Sequence, residues 1–333
     1  VKIPAWHGLK IPGFLAAAAL FAMTMQSGIA LAESASGTIV LTLPGCEWAL
    51  EIDVPGYVLE YQQVALDGEA ARFHAENERA GTILSGVLEK APEEGGAERC
   101  REYYWSRARS SAFAKNDISM SRRGEWALVE YVVSVFRGER IDQKHLNAYR
   151  SHGGYWIDVH LTKMNFKPDD RKYFDAVLDS IRIDREFEPD SLKLFHFGNH
   201  FFWQGRYADA VPYYERALEK EKSNRRLSRD TRLVLVDQLG MAHGLSGNPE
   251  KAREVYRNAV EKEPRYPMFY YNFACALAES GELEQALENL TLAMRCRKRT
   301  EAGRDIPDPR KDPSFMPWLR DARFQAWVKE HLS

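Results

Sequence analysis

The chain has 333 residues, with 46 Lys and Arg against 48 Asp and Glu and a formal net charge of −2. That length allows about two domains. The mixed, nearly balanced charge argues against a dedicated nucleic-acid or anionic-membrane partner.

Residues 1–32 read as a signal peptide. Lys2 and Lys10 make a basic start, residues 14–25 form an apolar run too short to span a bilayer, and Ala30-Leu31-Ala32 is a small-x-small cleavage pattern. The mature protein is expected to begin near Glu33 and to be periplasmic or secreted. No later stretch is long or apolar enough to cross a membrane, so none is expected to be engaged after cleavage.

Residues 33–188 form the first domain. Apolar and polar residues alternate over 38–43, 48–54, 57–66, 70–76, 82–88, 126–136, 144–149 and 155–164, which predicts strands. Helices are predicted over 97–110 and 168–179, with a last strand over 180–183. Strands in series with two helices give an α+β domain, a mainly antiparallel sheet with helices. Cys46 and Cys100, beside a strand end and a helix start, are expected to form a disulfide, since export permits one. Trp156, Asp158 and His160 alternate onto one face of a strand. The reading there is a solvated sheet face, with an acid–base pair as the alternative. The ending FDAVLDSIRI resembles that of PsbP/Mog1-like sandwiches, which implies an accessory or assembly role rather than catalysis.

Residues 189–300 repeat themselves. Ala210, Ala252 and Ala286 sit in one local phrase, followed four residues on by Tyr214, Tyr256 and Leu290 and preceded by Gly205, Gly247 and Gly281. Before each Gly turn lies an apolar helical pattern holding a small residue, Gly198, Gly240 or Ala274. This pattern resembles the tetratricopeptide repeat (TPR). The resemblance implies three stacked helical hairpins, an all-α repeat domain following the α+β one. Residues 222–232, rich in Arg, Ser and Asn, lengthen the exit from the first hairpin. Residues 301–333 read as a proline-rich connector and a C-terminal capping helix, which such arrays need over their last apolar face. Cys275 and Cys296 lie on the two helices of one hairpin, offset by roughly 13 Å along its axis at 1.5 Å per residue, so they are expected to stay reduced.

Candidate chemistry is sparse. No G-x-S-x-G, P-loop or dinucleotide fingerprint occurs. His196 and His200 are four apart on a predicted helix without a third ligand motif, so no metal, cofactor or catalytic residue is expected. In the resembled family the first helices line a binding groove. That arrangement places Phe195, Asn199, Phe202, Trp203, Met241 and Tyr271 in it, with Asp237 and Cys275 alongside. Basic residues for an acidic C-terminal peptide are missing, so an apolar or aromatic protein segment is the expected partner. The functional expectation is an exported interaction scaffold or assembly factor. The alternative is a small apolar-ligand carrier or an enzyme centred on the α+β domain.

Overall fold

The computed structural model describes residues 37–65, 67–110, 113–136, 139–297 and 306–332. The signal-peptide reading falls outside them. The chain divides into two compact units between Glu188 and Pro189.

The first unit is built on antiparallel sheets. β1 (Thr38–Leu41), β2 (Ala49–Asp53) and β10 (Arg182–Asp184) form a three-stranded sheet in the order β1-β2-β10. The larger sheet contains β3 (Val58–Val64), β4 (Ala70–Asn77), β5 (Thr82–Lys90), β6 (Asn116–Arg123), β7 (Trp126–Phe136), β8 (Glu139–His152) and β9 (Tyr155–Lys163). Its order is β3-β4-β5-β9-β8-β7-β6, so β9 is the middle strand. Two helices complete the unit, α1 (Ala97–Ala108) and α2 (Arg171–Ser180).

Alternation sorts the large sheet's side chains onto two faces. One face carries Phe73, Leu84, Leu88, Leu146, Ile157, Val159 and Leu161, which pack with Ile39, Leu41, Leu50 and Ile52 of the small sheet and with Phe174, Val177 and Leu178 of α2. Each such buried side chain contributes about 1.5–3 kcal/mol. Gly86 makes room on that face: a Cβ there would stand 2.5 Å from the ring of Phe73, its cross-strand partner. The opposite face meets α1 through Cys100 and Trp105, which pack with Val129, Tyr131, Tyr149 and Trp156.

Two predictions for this unit need correction. No disulfide joins Cys46 and Cys100; both are free. Cys46 packs against the apolar face of the large sheet and Cys100 lies under α1 on the other, so the sheet stands between them. β6 has no counterpart among the predicted strands. Among the described residues it pairs only with β7, and it buries neither face, leaving Ile118 and Met120 about half exposed.

The second unit is a run of six helices in three hairpins, α3 (Ser191–Phe202) with α4 (Tyr207–Ser223), α5 (Arg229–Leu245) with α6 (Pro249–Lys262), and α7 (Pro267–Glu279) with α8 (Leu283–Arg297). Gly205, Gly247 and Gly281 turn the three hairpins at positive φ, 74°, 87° and 84°, where a side chain would be strained. Each small residue of a first helix faces a large one sixteen places later. A Cβ on Gly198 would lie 2.3 Å from the Tyr214 ring, and one on Gly240 2.4 Å from the Tyr256 ring. The third hairpin keeps the spacing with Ala274 and Leu290, both buried in one cluster.

The lengthened exit of the first hairpin closes on Glu221. Its Oε1 accepts hydrogen bonds from Ser191 Oγ at 2.5 Å and from the backbone amides of Arg226 and Leu227 at 2.9 and 3.0 Å. Burial pushes this carboxyl up, but those bonds and nearby Arg232 outweigh burial and hold it below the usual range. After α8, two short 3-10 segments (Pro309–Lys311 and Pro313–Trp318) lead into α9 (Ala322–His331). Phe315, Phe324 and Trp327 of this tail are buried against the third hairpin.

Candidate functional site

The first helices form a layer, with α3 touching α5 and α5 touching α7. The predicted groove lies on this layer, but its residues do not form one open strip. Phe195 and Phe202 are buried, their rings 6.2 and 6.4 Å from the Tyr214 ring. Asn199 is also buried, and its Oδ1 accepts the Tyr214 hydroxyl at 2.8 Å. These three side chains hold the first hairpin together. Met241 is half-buried. Asp237 is buried and accepts a hydrogen bond from Asn272 Nδ2 at 2.7 Å, joining α5 to α7. Trp203 stands apart, 71% exposed.

The third hairpin explains Tyr271. Its first helix is covered by the chain's own segment 308–318. Tyr271 Oη donates to Asp312 Oδ2 at 2.8 Å, and Cys275 Sγ approaches the same oxygen at 3.8 Å. Ser314 Oγ donates to Glu279 Oε1 at 2.7 Å, and Trp318 Nε1 donates to the Ala278 carbonyl at 3.1 Å. Tyr271, Cys275 and Glu279 are four apart, so they form one helical stripe. This strap runs along that stripe, and Phe315, which is wholly buried, pins it.

Equivalent positions in the other hairpins are open. Trp203, Leu245 and Glu279 each lie five residues after the small residue of their first helix and two before the turn glycine. Glu279 is engaged by the strap; Leu245 is 55% exposed. Trp203 and Leu245 are thus exposed at the same position of successive hairpins. Leu245 was legible in the sequence by its register with Trp203, but its neighbours in α5 are less aromatic and gave no signal.

The His196 and His200 pair does not converge. His200 Nε2 is 2.9 Å from Gln204 Nε2, while His196 lies beside the Phe195 ring. Among the described residues no group of three or more His, Cys, Asp and Glu is arranged to hold a metal ion.

The Trp156, Asp158 and His160 row is not a solvated face. α1 covers part of it, Trp156 is fully buried, and the row lies among Ser85, His145, Asn147 and Thr162, all buried. His145 Nδ1 and His160 Nε2 share a hydrogen bond at 3.0 Å, with the rings stacked. Burial holds both histidines neutral, His160 down to about 4. Asn147 Nδ2 donates to Asp158 Oδ1 at 3.1 Å. Burial nevertheless pushes the Asp158 carboxyl up to about 7, with Glu89 adding to the effect. Polar groups thus converge on the helix-covered face of the sheet, the feature that favours an enzyme or ligand carrier centred on this domain.

Similarity to known proteins bears on the second unit. Residues 255–288 match the tetratricopeptide-repeat family model. They run from the second half of α6 into α8, across the hairpin whose first helix the strap covers. The chain is 32% identical over 78 residues to the Photosystem I assembly protein Ycf3 of Rippkaea orientalis, which is 23% of this chain and 42% of that one. It is 26% identical over 117 residues to a probable UDP-N-acetylglucosamine–peptide N-acetylglucosaminyltransferase SPINDLY of Hordeum vulgare, 35% of this chain and 12% of that one. The chain thus spans less than half the length of these curated relatives. Among solved structures it is similar to the Sgt2 TPR domain from Aspergillus fumigatus, at 20% identity and a TM-score of 0.32, covering 43% of this chain and 83% of that one. It is also similar to YrrB, a TPR protein with an unusual peptide-binding site, at 20% identity and a TM-score of 0.30, covering 39% and 60%. The architecture is a sheet-rich antiparallel domain followed by TPR-like helices.

Proposed function

We propose that this chain is an interaction scaffold or assembly factor that holds an apolar or aromatic segment of a partner protein on α3 and α5. The observation that carries this reading is the pair Trp203 and Leu245, large apolar side chains exposed at equivalent positions while the strap occupies the third. The match to an interaction repeat supports it, as does the likeness to an assembly protein. The resemblance of the first unit's ending to accessory and assembly domains points the same way. Under this proposal the partner meets two repeats rather than three, because the inner surface of α7 is taken within the chain. Export of the mature chain from Glu33 belongs to the same proposal and rests on residues 1–32. An intact mass that retains those residues would remove that part alone.

The test places a photo-crosslinking amino acid at position 203, 245 or 279, with one on the exposed side of α6 at Arg257 as control. Crosslinks to one protein at 203 and 245, and not at 257, support the site. Exposed aromatic anchors contribute about 2 kcal/mol or more to binding, so Trp203→Ala is expected to weaken that complex some thirtyfold. Because the side chain is mostly in solvent, thermal stability should not change. Equal crosslinking at all positions, or unchanged affinity in Trp203→Ala, refutes the assignment.

A further inference from the structure

The two edges of the large sheet are finished differently. At one edge β3 is bulged between Leu59 and Tyr61, and Gln62 Nε2 donates to the Val40 carbonyl of β1 at 2.8 Å, which ties it to the small sheet. At the other edge every residue of β6 but Arg123 is exposed. Such an edge presents a row of unpaired backbone N–H and C=O groups, a template for another strand unless bare charge or a bulge guards it. β6 has little of either guard. Its bulge falls near its start, between Asn116 and Ser119 with Asp117 at φ 50°, and Ser119 to Arg123 then pair one to one with β7. Its two arginines are already neutralised. Arg122 Nη1 donates to Glu98 of α1, and Arg123 donates to Asp175 at 2.7 Å and to Asp179.

The direction of the free backbone groups follows from the hairpin. Gly124 and Glu125 form a two-residue loop, Gly124 at φ 57°, closed by the hydrogen-bonded pair of Arg123 and Trp126. Hydrogen-bonded and non-hydrogen-bonded pairs alternate along an antiparallel ladder. Arg123, Ser121 and Ser119 therefore turn their backbone groups to β7, and Arg122 and Met120 turn theirs to the open edge. Side chains alternate as well. Met120 and Arg122 lie on the face that carries α1, and Ser119, Ser121 and Arg123 on the face that carries α2. Ile118 and Met120 are 50% and 51% exposed.

We propose that β6 pairs with β6 of a second copy of this chain, antiparallel about a two-fold axis at Met120. Residues opposite each other in such a pair share a face, so the axis passes through a residue rather than between two. With the axis at Met120, the outward backbone groups of the two Met120 residues bond each other. Ser119 faces Ser121 of the other copy, twice, and these hydroxyls can hydrogen-bond across the pair. The two methionines meet on the α1 face, with each Ile118 diagonal to the other copy's Met120 and within reach of it. Asp117 comes opposite Arg123 of the other copy, so the acidic start of each strand meets the basic end of its counterpart. An axis at Ser121 would set Arg122 against Met120, and one at Ser119 would draw on the bulged residues. The strand is thus complementary to itself in one register.

The test uses the full chain in sedimentation velocity across a concentration series. One strand from each copy buries less than the roughly 1,600 Å² of a standard interface, so a dissociation constant on the order of tens of micromolar is expected. Met120→Lys places two like charges at the axis and should raise that constant at least tenfold, while the circular dichroism melt of this exposed position stays unchanged. The register is read by mixing Ser119→Cys chains with Ser121→Cys chains under mild oxidation and mapping the disulfide by peptide mass spectrometry. Non-hydrogen-bonded partners stand about 4.5 Å apart between Cα atoms, within disulfide range. Like positions are offset by two residues, about 7 Å along the strand, so the mixed disulfide should exceed either homodimeric one at least tenfold. This arm stands even if Met120→Lys does not fold. A chain that stays monomeric at about ten times that constant, as it would if the edge serves another protein's strand, overturns the proposal. Association indifferent to Met120→Lys, or disulfides that form equally in mixed and unmixed samples, overturns it as well.

Discussion

Gly240→Ala tests how the hairpins are keyed. The added methyl would stand 2.4, 2.7 and 2.8 Å from three atoms of the Tyr256 ring. That ring is 2% exposed, and its hydroxyl donates to the Asp237 carbonyl at 3.0 Å, so it cannot swing aside without breaking a buried bond. Overpacking by one methyl costs about 1–3 kcal/mol, and three close contacts place this case at the upper end. Ala gains about 1 kcal/mol over Gly in a helix interior. The net expectation is a loss of about 1–2 kcal/mol where helix preference alone predicts a gain. Tyr256→Leu removes the ring and should cost about 1–3 kcal/mol in lost packing and hydrogen bonding. The double variant reproduces the Ala274 and Leu290 combination of the third hairpin. The two effects should therefore fail to add, with a favourable coupling of about 1.5–3 kcal/mol. Urea unfolding followed by far-ultraviolet circular dichroism measures all four proteins. A Gly240→Ala chain as stable as wild type, or two effects that simply add, would refute the reasoning.

Thiol counting under denaturing, non-reducing conditions should find four free cysteines, and a count of two would show a bond the sheet's geometry forbids. Glu221→Gln should destabilise the chain by about 1–3 kcal/mol near neutral pH, because a buried carboxylate that accepts three hydrogen bonds loses its charge. The Glu221 pKa is lowered on folding, so its contribution is full above the unfolded value of about 4.3 and disappears as pH falls through the folded value. The gap between wild type and variant in urea unfolding should accordingly close in acid, and a gap independent of pH would contradict the assignment.

The repeats were legible because their code is local. A small residue and a large one sixteen places apart, with a turn glycine between, recur within each hairpin. Much of the first unit was legible for the same reason, since alternation reports a half-buried strand directly. The predicted strand over 144–149 is shorter than β8 because its ends, 139–143 and 150–152, are polar apart from Ile141 and offer no apolar alternation, although Gln143 is buried. β6 offered only Ile118 and Met120 as apolar alternation, and an edge strand that buries neither face needs no more. The groove was overdrawn because aromatic residues on a first helix serve two ends. Phe195 and Phe202 were counted as surface but pack within their own hairpin. Tyr271 is covered through a contact with Asp312, 41 residues away, which no local pattern announces. The polar character of Asp158 and His160 was plain, whereas their neighbours depend on strand order and on where α1 settles.

The two-faced middle strand also bears on how the sheet assembles. β9 alternates Ile157, Val159 and Leu161 with Trp156, Asp158, His160 and Thr162. Sliding it by one residue against β5 and β8 would turn Asp158 and His160 into the apolar core and push three aliphatic side chains among the histidines. Ionisable groups left there without partners would cost several kcal/mol. An all-aliphatic strand would carry no such penalty and could dock in several phases. The polar row thus bars β9 from every slip by an odd number of residues, and strands that add outward from it inherit that facing.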